Sequence, residues 1–364
     1  MTLGVDIRMF NASGIGTYLQ NLLPELSWDF DLVMIGHPSE KDLPYGQVIP
    51  TNIPIYSLGE LRKLSALVPP CDVFWSPHYN VPWLPIRAKK RLVTIHDVFH
   101  LAFFNTLSLQ QKLYAYLMFR KAVRWSAGII TVSYFSQAEI TKHLKVDSER
   151  INVIPNGVNH ALYNMTEDES KQQRVRQRYQ LPDRYILFVG NVKPHKNLLT
   201  LVKAFAALPA NEDYHLVIVG KKEGFITGDT ELHDFIGRDE KLASRVVFTG
   251  FVEEDDLPVL YTLARLFVFP SYYEGFGLPP LEAMACGCPV LASDRASMPE
   301  ICDDAAVYVS PDDTQGMTTQ MQYLLHLPAP DRERMVQKGQ KRALKYTWEQ
   351  SVRRHRQLLR ELSR

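Results

Sequence analysis

The chain contains twelve short apolar runs, arranged as two series of six. Apolar residues follow one another within these runs without regular polar alternation, and longer amphipathic segments separate the runs. Continuous apolar runs of this length are typical of strands that are buried on both faces of a parallel sheet. The runs lie at residues 3–7, 31–36, 72–77, 91–97, 128–133 and 151–157, then at 185–191, 215–221, 245–251, 265–271, 289–294 and 306–311. The pattern predicts two doubly wound α/β domains, each with a Rossmann-like sheet.

A polar segment separates the two series and predicts the domain boundary. Residues 166–180 are mainly charged and amide side chains, and a Leu-Pro-Asp sequence then introduces the next strand. A solvated helix that leads into an interdomain linker explains this stretch. We therefore expect an N-terminal domain over residues 1–170 and a C-terminal domain over residues 181–346. Residues 347–364 have the pattern of a basic amphipathic helix, which we expect to cross back to the N-terminal domain.

Composition excludes several classes of protein. Lys and Arg number 41 against 40 Asp and Glu, and this balance argues against a dedicated nucleic-acid binder. The first ten residues lack the basic region and apolar run of a signal peptide, and no stretch approaches the roughly 20 apolar residues that cross a bilayer. The four cysteines, Cys71, Cys286, Cys288 and Cys302, form no disulfide framework or zinc motif. These observations predict a cytoplasmic protein with buried, reduced thiols.

The densest group of unusual residues follows the run at 265–271. A glycine-rich loop comes next, and two prolines at 279–280 mark the first turn of a helix. Glycines let a backbone approach a ligand closely and a helix N-terminus favours an anion, so this unit suits a diphosphate. Glu274 and Glu282 lie eight residues apart at its edge, where carboxylates can accept hydrogen bonds from sugar hydroxyls. The alternative is that both glutamates only cap or solvate the helix.

This region resembles a known family. Residues 274–282, EGFGLPPLE, match the E-x7-E signature of retaining, nucleotide-sugar-dependent glycosyltransferases of family 4 (GT4, group 1), which adopt the GT-B fold. Further motifs stand in the family's order along nearly the whole chain, at residues 14–18, 94–97, 131–136, 154–158, 189–197, 249–257 and 298–301. The resemblance implies a GT-B hexosyltransferase with two Rossmann-like domains that face a cleft. It also implies that the N-terminal domain (1–170) binds the acceptor and that the C-terminal domain (181–346) binds the nucleotide-sugar. The sequences around the lysine and glutamate motifs look most like mannosyltransferases or rhamnosyltransferases of bacterial polysaccharide biosynthesis.

The resemblance also assigns roles to residues of this sequence. It implies three catalytic residues: His96 near the transferred sugar, Lys196 beside the departing diphosphate, and Glu274 on the hydroxyls of the donor sugar. Glu282 is expected to accept hydrogen bonds from the ribose. The residues expected to bind the donor are Gly14, Gly16, Asn191, Lys196, Val252, Gly275, Phe276, Gly277, Leu278 and Glu282.

Some of these assignments have alternatives. The glycine pair after the first strand also fits a tight strand–helix turn, and His96 also fits a histidine that is satisfied at a strand end. Many relatives have an arginine where this chain has Asn191, so one phosphate-facing cation is missing here. Asn191 can still donate a neutral hydrogen bond, and His195 or Lys193 can compensate for the missing charge.

The mechanism that the resemblance implies is retaining and needs no metal or other cofactor. The sugar passes through an oxocarbenium-like state while negative charge grows on the diphosphate. Lys196 and the backbone amides of residues 275–278 would stabilise that charge. The acceptor hydroxyl would attack from the side of the leaving phosphate, which takes the proton. His96 and His100 have a spacing that two metal ligands can use, but the sequence places no third ligand.

The expected partners are a nucleotide-sugar and a hydroxyl of a glycan or lipid-linked glycan, as in lipopolysaccharide synthesis. GDP-mannose is the favoured donor and a UDP- or dTDP-sugar is the alternative; the base is expected near residues 249–252. Residues 107–127 combine cations with aromatic and aliphatic side chains. This segment either contacts an anionic membrane from the cytoplasmic side or packs on the sheet with a solvated basic edge.

Other classes of protein stay open at this point. A nucleotide-sugar epimerase or a phosphorylase-like enzyme uses the same fold, and a non-catalytic module could bind the same donor. The joint presence of His96, Lys196, Glu274 and Glu282 disfavours a non-catalytic module. A Rossmann dehydrogenase is disfavoured because the first glycine loop lacks a third glycine and no acidic residue follows the second strand at the ribose spacing.

Overall fold

The chain is described here from a computed structural model that covers residues 1–12, 14–103, 108–209, 213–220 and 230–364. Within them the chain divides into two compact units. The first comprises Met1–Gly157 together with Trp348–Arg364, and the second comprises Val158–Thr347. The division therefore falls after Gly157, before the polar segment at which the sequence predicted it.

The first unit is built on a seven-stranded parallel sheet. Its strands are β1 (Thr2–Asp6), β2 (Asp31–Gly36), β3 (Gln47–Pro50), β4 (Cys71–Ser76), β5 (Ala88–Thr94), β6 (Gly128–Thr131) and β7 (Ile151–Val153). Its helices from this part of the chain are α1 (Ile15–Leu26), α2 (Leu58–Leu67), α3 (Phe99–Ala102), α4 (Leu109–Trp125) and α5 (Tyr134–Leu144). The order across the sheet is β3-β2-β1-β4-β5-β6-β7, so the direction of winding reverses between β1 and β4.

The second unit has a six-stranded parallel sheet of the same design. Its strands are β8 (Tyr185–Val189), β9 (His215–Val219), β10 (Val246–Gly250), β11 (Leu266–Phe269), β12 (Val290–Ser293) and β13 (Val307–Val309). Its helices are α6 (Glu169–Tyr179), α7 (Leu198–Ala206), α8 (Thr230–Gly237), α9 (Glu240–Arg245), α10 (Leu257–Leu263), α11 (Leu278–Ala285), α12 (Met298–Cys302), α13 (Thr314–Leu325) and α14 (Ala329–Ala343). The order β10-β9-β8-β11-β12-β13 places the reversal between β8 and β11.

The last helix, α15 (Trp348–Ser363), belongs to the first unit. Trp348, Val352 and Leu359 are buried in the core that β1 and α1 also line. Two arginines of its polar face, Arg356 and Arg360, pair with Asp29 just after α1, at 2.5 and 2.7 Å. Apolar contacts and two ion pairs thus hold α15 against α1 and the segment that follows it.

The parallel α/β architecture predicted from the apolar runs is confirmed. All twelve runs contain a strand, and most of these strands are largely buried. All five residues of β8 are buried, whereas the five residues of β10 are partly buried. Among the strands of the described residues, only β3 was not predicted; its four residues are partly buried or exposed at the sheet edge. The predicted run at 215–221 ends at Lys221, which lies outside the described residues.

The helix predicted at the domain boundary is present as α6, and Val175 is the one buried residue among its eleven. This helix, α6, packs on the second unit, where Asp256 is 2% exposed. The Asp256 carboxylate accepts hydrogen bonds from Arg174 at 2.9 Å, Arg178 at 2.8 Å and the Tyr179 hydroxyl at 3.1 Å. Three polar side chains of this largely exposed helix therefore bind one buried carboxylate, and they anchor α6 within the second unit.

Two expectations about compartment can be compared with the structure. The four cysteines are buried free thiols, as predicted. Across the described ranges, no helix has both the length and the apolar character needed to cross a membrane.

Replacing Asp256 tests how α6 is held. We expect Asp256→Asn to lower the free energy of unfolding by about 1–3 kcal/mol, because two guanidinium groups lose a buried anionic acceptor. Urea denaturation followed by circular dichroism measures this change. The control is Glu253→Gln, which removes an exposed carboxylate 3.7 Å from Arg178 and should change stability by less than about 0.5 kcal/mol. Equal losses in the two variants would contradict the buried anchor.

Candidate active site

Two predicted catalytic residues meet where the strand order of the second sheet reverses. In parallel sheets, ligands bind outside the carboxyl ends of the strands at this point. Lys196 ends a short 3-10 turn after β8, and Glu274 lies in the loop between β11 and α11. Their side chains form an ion pair, and each side chain is 16% exposed. A cation and a carboxylate therefore stand together at the expected ligand position, each neutralising the other.

The loops that carry these two residues are fastened to each other. Asn197 adopts a left-handed conformation with φ of 58°, and its side-chain amide donates to the carbonyls of Pro270 at 3.2 Å and Pro311 at 2.7 Å. The backbone N–H of Tyr272 donates to the carbonyl of His195 at 2.8 Å. The position of the Lys196 ammonium group is thus set by backbone contacts on both sides of the strand reversal.

Residues at the start of α12 contact the glycine-rich loop. The hydroxyl of Ser297 lies within hydrogen-bond distance of two loop carbonyls, those of Glu274 at 2.9 Å and Phe276 at 2.6 Å. Gly277 has φ of 110°, and a Cβ there would lie 2.4 Å from the terminal methyl of Met298. A side chain at this position would be strained and crowded, so glycine is required for the loop to enter α11.

The N-terminus of α11 offers fewer donors than a typical helix. The four amide positions that a helix start leaves unpaired are here residues 277–280, and Pro279 and Pro280 have no N–H. Among the described residues, no side chain caps this end. The amides of Gly277 and Leu278 remain to bind an anion.

Glu282, on α11, is a buried carboxylate with few donors. It is 8% exposed, and within the described part of the chain only the Tyr261 hydroxyl donates to it, at 3.0 Å. Burial raises the pKa of Glu282 from 4.5 to about 7, with a further increase from Glu254 that the hydrogen bond from Tyr261 opposes. A buried carboxylate normally has several donors. The Glu282 carboxylate thus has capacity to accept further hydrogen bonds.

Asn191 and Val252, the donor-binding residues predicted after β8 and β10, follow a place where the ends of β8, β9 and β10 pack closely together. The N–H of Gly220 donates to the carbonyl of Gly250 at 3.1 Å, and a Cβ on Gly220 would lie 2.2 Å from the carbonyl oxygen of Gly190. Asn191 follows directly and is half-buried, whereas Val252 is 7% exposed. The remaining predicted loop residue, Gly275, lies between Glu274 and the Phe276 contact described above.

The other three predicted residues belong to the first unit, and the two glycines differ there. Gly14 precedes α1 with φ of 77°, and a Cβ at this position would meet nothing within 4 Å. A Cβ on Gly16 would lie 2.5 Å from the carbonyl oxygen of Phe10. Gly14 thus leaves open space that a ligand could use. Gly16 fits the strand–helix turn that the sequence analysis kept as an alternative.

His96 follows β5 and is held as a neutral imidazole. Its Nε2 lies 3.1 Å from the carbonyl oxygen of Pro77, and because a carbonyl only accepts, Nε2 carries the proton. Burial lowers the pKa of His96 to about 4. Among the described residues, Nδ1 has no hydrogen-bond partner and can accept from a sugar hydroxyl. No third ligand joins His96 and His100, since no three His, Cys, Asp or Glu side chains of the described chain are placed to hold a metal ion.

Sequence reasoning missed several residues that shape this site. Asn197 had a usable signal, since asparagine tolerates the left-handed conformation and follows the lysine directly. Ser297 and Tyr261 had none, because their partners lie 21 to 23 residues away along the chain.

Comparisons with known proteins identify the family. Residues 12–162 match the model of Glycosyltransferase Family 4, and residues 169–342 match the model of Glycosyl transferases group 1. The chain is 30% identical over 285 residues to O-antigen chain mannosyltransferase B of Escherichia coli, which covers 76% of this chain and 71% of that protein. The chain belongs to the family 4 (group 1) glycosyltransferases. The resemblance stated from the motifs is confirmed, and the protein is a glycosyltransferase.

Further relatives extend this result. O-antigen chain mannosyltransferase RfbU of Salmonella typhimurium is 31% identical over 251 residues, or 69% of this chain and 64% of that protein. Serotype-specific mannosyltransferase WbdA of Escherichia coli is 33% identical over 203 residues, or 54% of this chain, and the match spans 24% of WbdA.

Two solved structures show the same fold as this glycosyltransferase. Sucrose-phosphate synthase from Thermosynechococcus elongatus superposes with a TM-score of 0.79 at 22% identity and covers 100% of this chain and 99% of its own. Anabaena Alr3699/HepE, in complex with UDP and glucose, gives a TM-score of 0.79 at 20% identity and covers 99% and 100%. The predicted GT-B fold is confirmed.

The raised pKa of Glu282 makes the stability of this glycosyltransferase depend on pH. The folded state holds the Glu282 proton more tightly than the unfolded state, so the stability from this proton is complete below about pH 4.5 and is lost as pH rises through about 7. At pH 8.5 we expect Glu282→Gln to have a higher free energy of unfolding than the wild type, by up to roughly 3 kcal/mol, and therefore a higher melting temperature. The advantage should shrink towards pH 4.5. Thermal melts across this range measure it.

The matched control is Glu240→Gln, which removes an exposed carboxylate on α9. Its melting temperature should follow that of the wild type at every pH. An advantage of Glu282→Gln that does not vary with pH would contradict a protonated, buried Glu282.

Proposed function

We propose that the protein transfers mannose from GDP-mannose, with retention of anomeric configuration, to a hydroxyl of a glycan or lipid-linked glycan in bacterial polysaccharide biosynthesis. The observation that carries the proposal is the Lys196–Glu274 ion pair at the strand reversal, with the buried Glu282 carboxylate eight residues further on. These residues match the three needs of a nucleotide-sugar: a cation for its diphosphate, and one carboxylate each for its sugar and its ribose.

The ion pair suggests how the site accepts the donor. The diphosphate attracts the Lys196 ammonium group, and Glu274 is then free to accept hydrogen bonds from the hydroxyls of the sugar. As the glycosidic bond breaks, negative charge grows on the leaving phosphate, and Lys196 with the amides of Gly277 and Leu278 stabilises it. We propose that these groups do so without a metal ion. The acceptor hydroxyl attacks on the same face, and its proton passes to the leaving phosphate.

The choice of sugar and acceptor is supported by the relatives. Mannosyltransferase B and RfbU are both described as O-antigen chain mannosyltransferases, and WbdA is a serotype-specific mannosyltransferase. A different donor base is the competing possibility, since the HepE structure contains UDP and glucose.

The proposed donor and mechanism can be tested together. Calorimetric titration should give tighter binding of GDP than of UDP or dTDP. Incubation with GDP-mannose and an O-antigen oligosaccharide should give a product with the anomeric configuration of the donor, as judged by NMR. Tighter binding of UDP or dTDP would replace the donor, and an inverted product would reject retention. Isomerisation of the donor without an acceptor would favour an epimerase.

Replacement of the two charged donor contacts should separate chemistry from binding. We expect Lys196→Ala to lower kcat by about 100- to 1,000-fold, because it removes charge stabilisation that grows in the transition state. Glu282→Ala should raise the donor KM by about tenfold or more, because it removes charged hydrogen bonds made in the ground state as well. Steady-state kinetics at varied GDP-mannose concentration measure both effects.

The control for these variants is Lys203→Ala. Lys203 lies on α7, is 38% exposed and pairs with Glu231 at 3.2 Å, so it is a similar Lys–Glu pair away from the strand reversal. It should have wild-type kinetics. Near wild-type kinetics of the Lys196 and Glu282 variants would reject the assigned roles.

We also propose that the exposed face of α4 contacts an anionic membrane. Leu109, Leu113 and Leu117 recur every four residues on this helix with exposed fractions of 83, 60 and 41%. Arg120 and Arg124 are exposed further along, and α4 contains no Asp or Glu. A cationic helix with exposed leucines suits an anionic lipid surface. The predicted segment began at Leu107, which lies outside the described residues.

Sedimentation with vesicles tests this face. Wild-type protein should co-sediment at low salt with equimolar phosphatidylglycerol and phosphatidylcholine, and less with phosphatidylcholine alone. Leu113→Ser with Leu117→Ser should weaken the association severalfold, because both leucines lose apolar contact with the bilayer. The control Leu344→Ser changes a leucine that is 62% exposed outside α4 and should have no effect. If wild-type protein stays in solution, α4 only has a solvated basic edge.

A further inference from the structure

A chain of buried polar side chains runs through the first unit, and the roles assigned so far do not use it. Trp75 on β4, Thr94 on β5, Tyr18 on α1 and His355 on α15 are all at most 1% exposed. The Trp75 Nε1 lies 3.0 Å from the Thr94 hydroxyl, which lies 3.1 Å from the Tyr18 hydroxyl. The Tyr18 hydroxyl lies 2.5 Å from Nε2 of His355. Four elements of the unit therefore share one hydrogen-bond network in an otherwise apolar core.

The donor and acceptor at each step of this chain can be deduced. Nδ1 of His355 lies 2.8 Å from the carbonyl oxygen of Ser351, which can only accept, so Nδ1 carries the proton. Nε2 must then accept from the Tyr18 hydroxyl. At the other end, the indole N–H of Trp75 can only donate to Thr94, whose own proton goes on to the oxygen of Tyr18. Every proton in the chain points towards α15, and every polar atom named has a partner.

The protonation states of two members agree with this direction. Burial lowers the pKa of His355 to about 4, so the imidazole stays neutral and Nε2 can accept at physiological pH. Burial raises the pKa of Tyr18 well above its usual range, so its hydroxyl keeps the proton that it donates.

The Tyr18 ring in this network also packs against His96. The rings of Tyr18 and His96 meet edge to face with 4.9 Å between centroids. Thr94 precedes His96 by two residues at the end of β5, so the residue that fixes the Tyr18 hydroxyl also fixes the backbone from which His96 projects. The imidazole of His96 has one polar anchor in the described chain, the Pro77 carbonyl. One hydrogen bond at Nε2 does not by itself fix the orientation of the imidazole ring, so the groups packed against the ring must do so.

We propose that Tyr18 and His355 are positioning residues that orient the imidazole of His96 for glycosyl transfer. The proposal rests on the proposed role of His96 near the transferred sugar. Hydrogen bonds to Thr94 and His355 hold the Tyr18 hydroxyl, and the Tyr18 ring, packed edge to face on His96, limits rotation of that imidazole. His355 on α15, 337 residues from Tyr18 in the sequence, thereby helps to orient a predicted catalytic residue.

The proposal predicts a specific kinetic pattern. Tyr18→Phe keeps the ring but removes the hydroxyl clamp, and His355→Leu removes the acceptor. We expect each to lower kcat by about tenfold and to change the donor KM by less than about twofold, since the donor site of the second unit is untouched. The double variant should lose no more than either single variant, because both break the same chain. His355→Gln, whose side-chain carbonyl can accept from Tyr18, should restore most of kcat.

A spectroscopic measurement tests the positioning independently of turnover. In protein labelled with 15N at histidine, Tyr18→Phe and His355→Leu should shift the ring resonances of His96 and increase its exchange broadening. His355→Gln should leave them close to wild type. Asp29→Asn is the control: it removes the anionic partner of Arg356 and Arg360 and loosens the docking of α15, but it changes no residue of the hydrogen-bond network. It should lower the melting temperature but leave kcat and the His96 resonances unchanged.

The outcomes separate the proposal from its premise. If the wild type transfers no sugar, the proposed function fails, and the His96 resonances still decide whether the ring is positioned by Tyr18. If those resonances do not change in Tyr18→Phe and His355→Leu, the proposal is overturned. It is also overturned if Asp29→Asn reduces kcat as much as they do, since a general loss of packing then explains the effect.

Discussion

Parallel pairing of every strand determines where this protein can perform chemistry. Parallel strands cannot be joined by hairpins, so each strand leads through a loop and a crossover to the next, and all carboxyl ends open at one sheet edge. Where the strand order reverses, adjacent loops run in opposite directions and leave space between them. Lys196 and Glu274 follow the two strands that flank this reversal in the second unit. Gly14 and His96 lie at the corresponding edge of the first unit, after β1 and β5.

The second unit holds its two glutamates by different means, and the difference fits their proposed roles. Glu274 has a full counter-charge in Lys196, so both charges are satisfied without a ligand, and in the proposed function they exchange partners when the donor diphosphate binds. Glu282 has one phenol donor and a raised pKa, so its ionised form is poorly satisfied until further donors arrive. A ligand that brings hydroxyls to Glu282 therefore stabilises the folded state as well as filling the site.

The sequence predicted what depends on local pattern and failed where distant partners decide. Continuous apolar runs indicated twelve strands, whereas β3 was not predicted because an edge strand needs no such run. The E-x7-E spacing located Glu274 and Glu282, and the family resemblance identified the fold. The polar helix α6 was predicted, but its anchor was not, because Asp256, the carboxylate that its arginines bind, comes about 80 residues later. Tyr261 was missed for the same reason: its only relevant feature is its place in the fold.

The last helix shows how a buried histidine can be both costly and useful. Polar groups in a core destabilise the fold unless each has a partner, so the four-residue chain can exist only if all its members point the same way. That direction requires a neutral His355 at one end and a donor that cannot accept, Trp75, at the other. A simple apolar contact between α15 and α1 would dock the helix equally well but would leave the Tyr18 ring free to turn. The polar chain fixes the ring, and through it the face of His96.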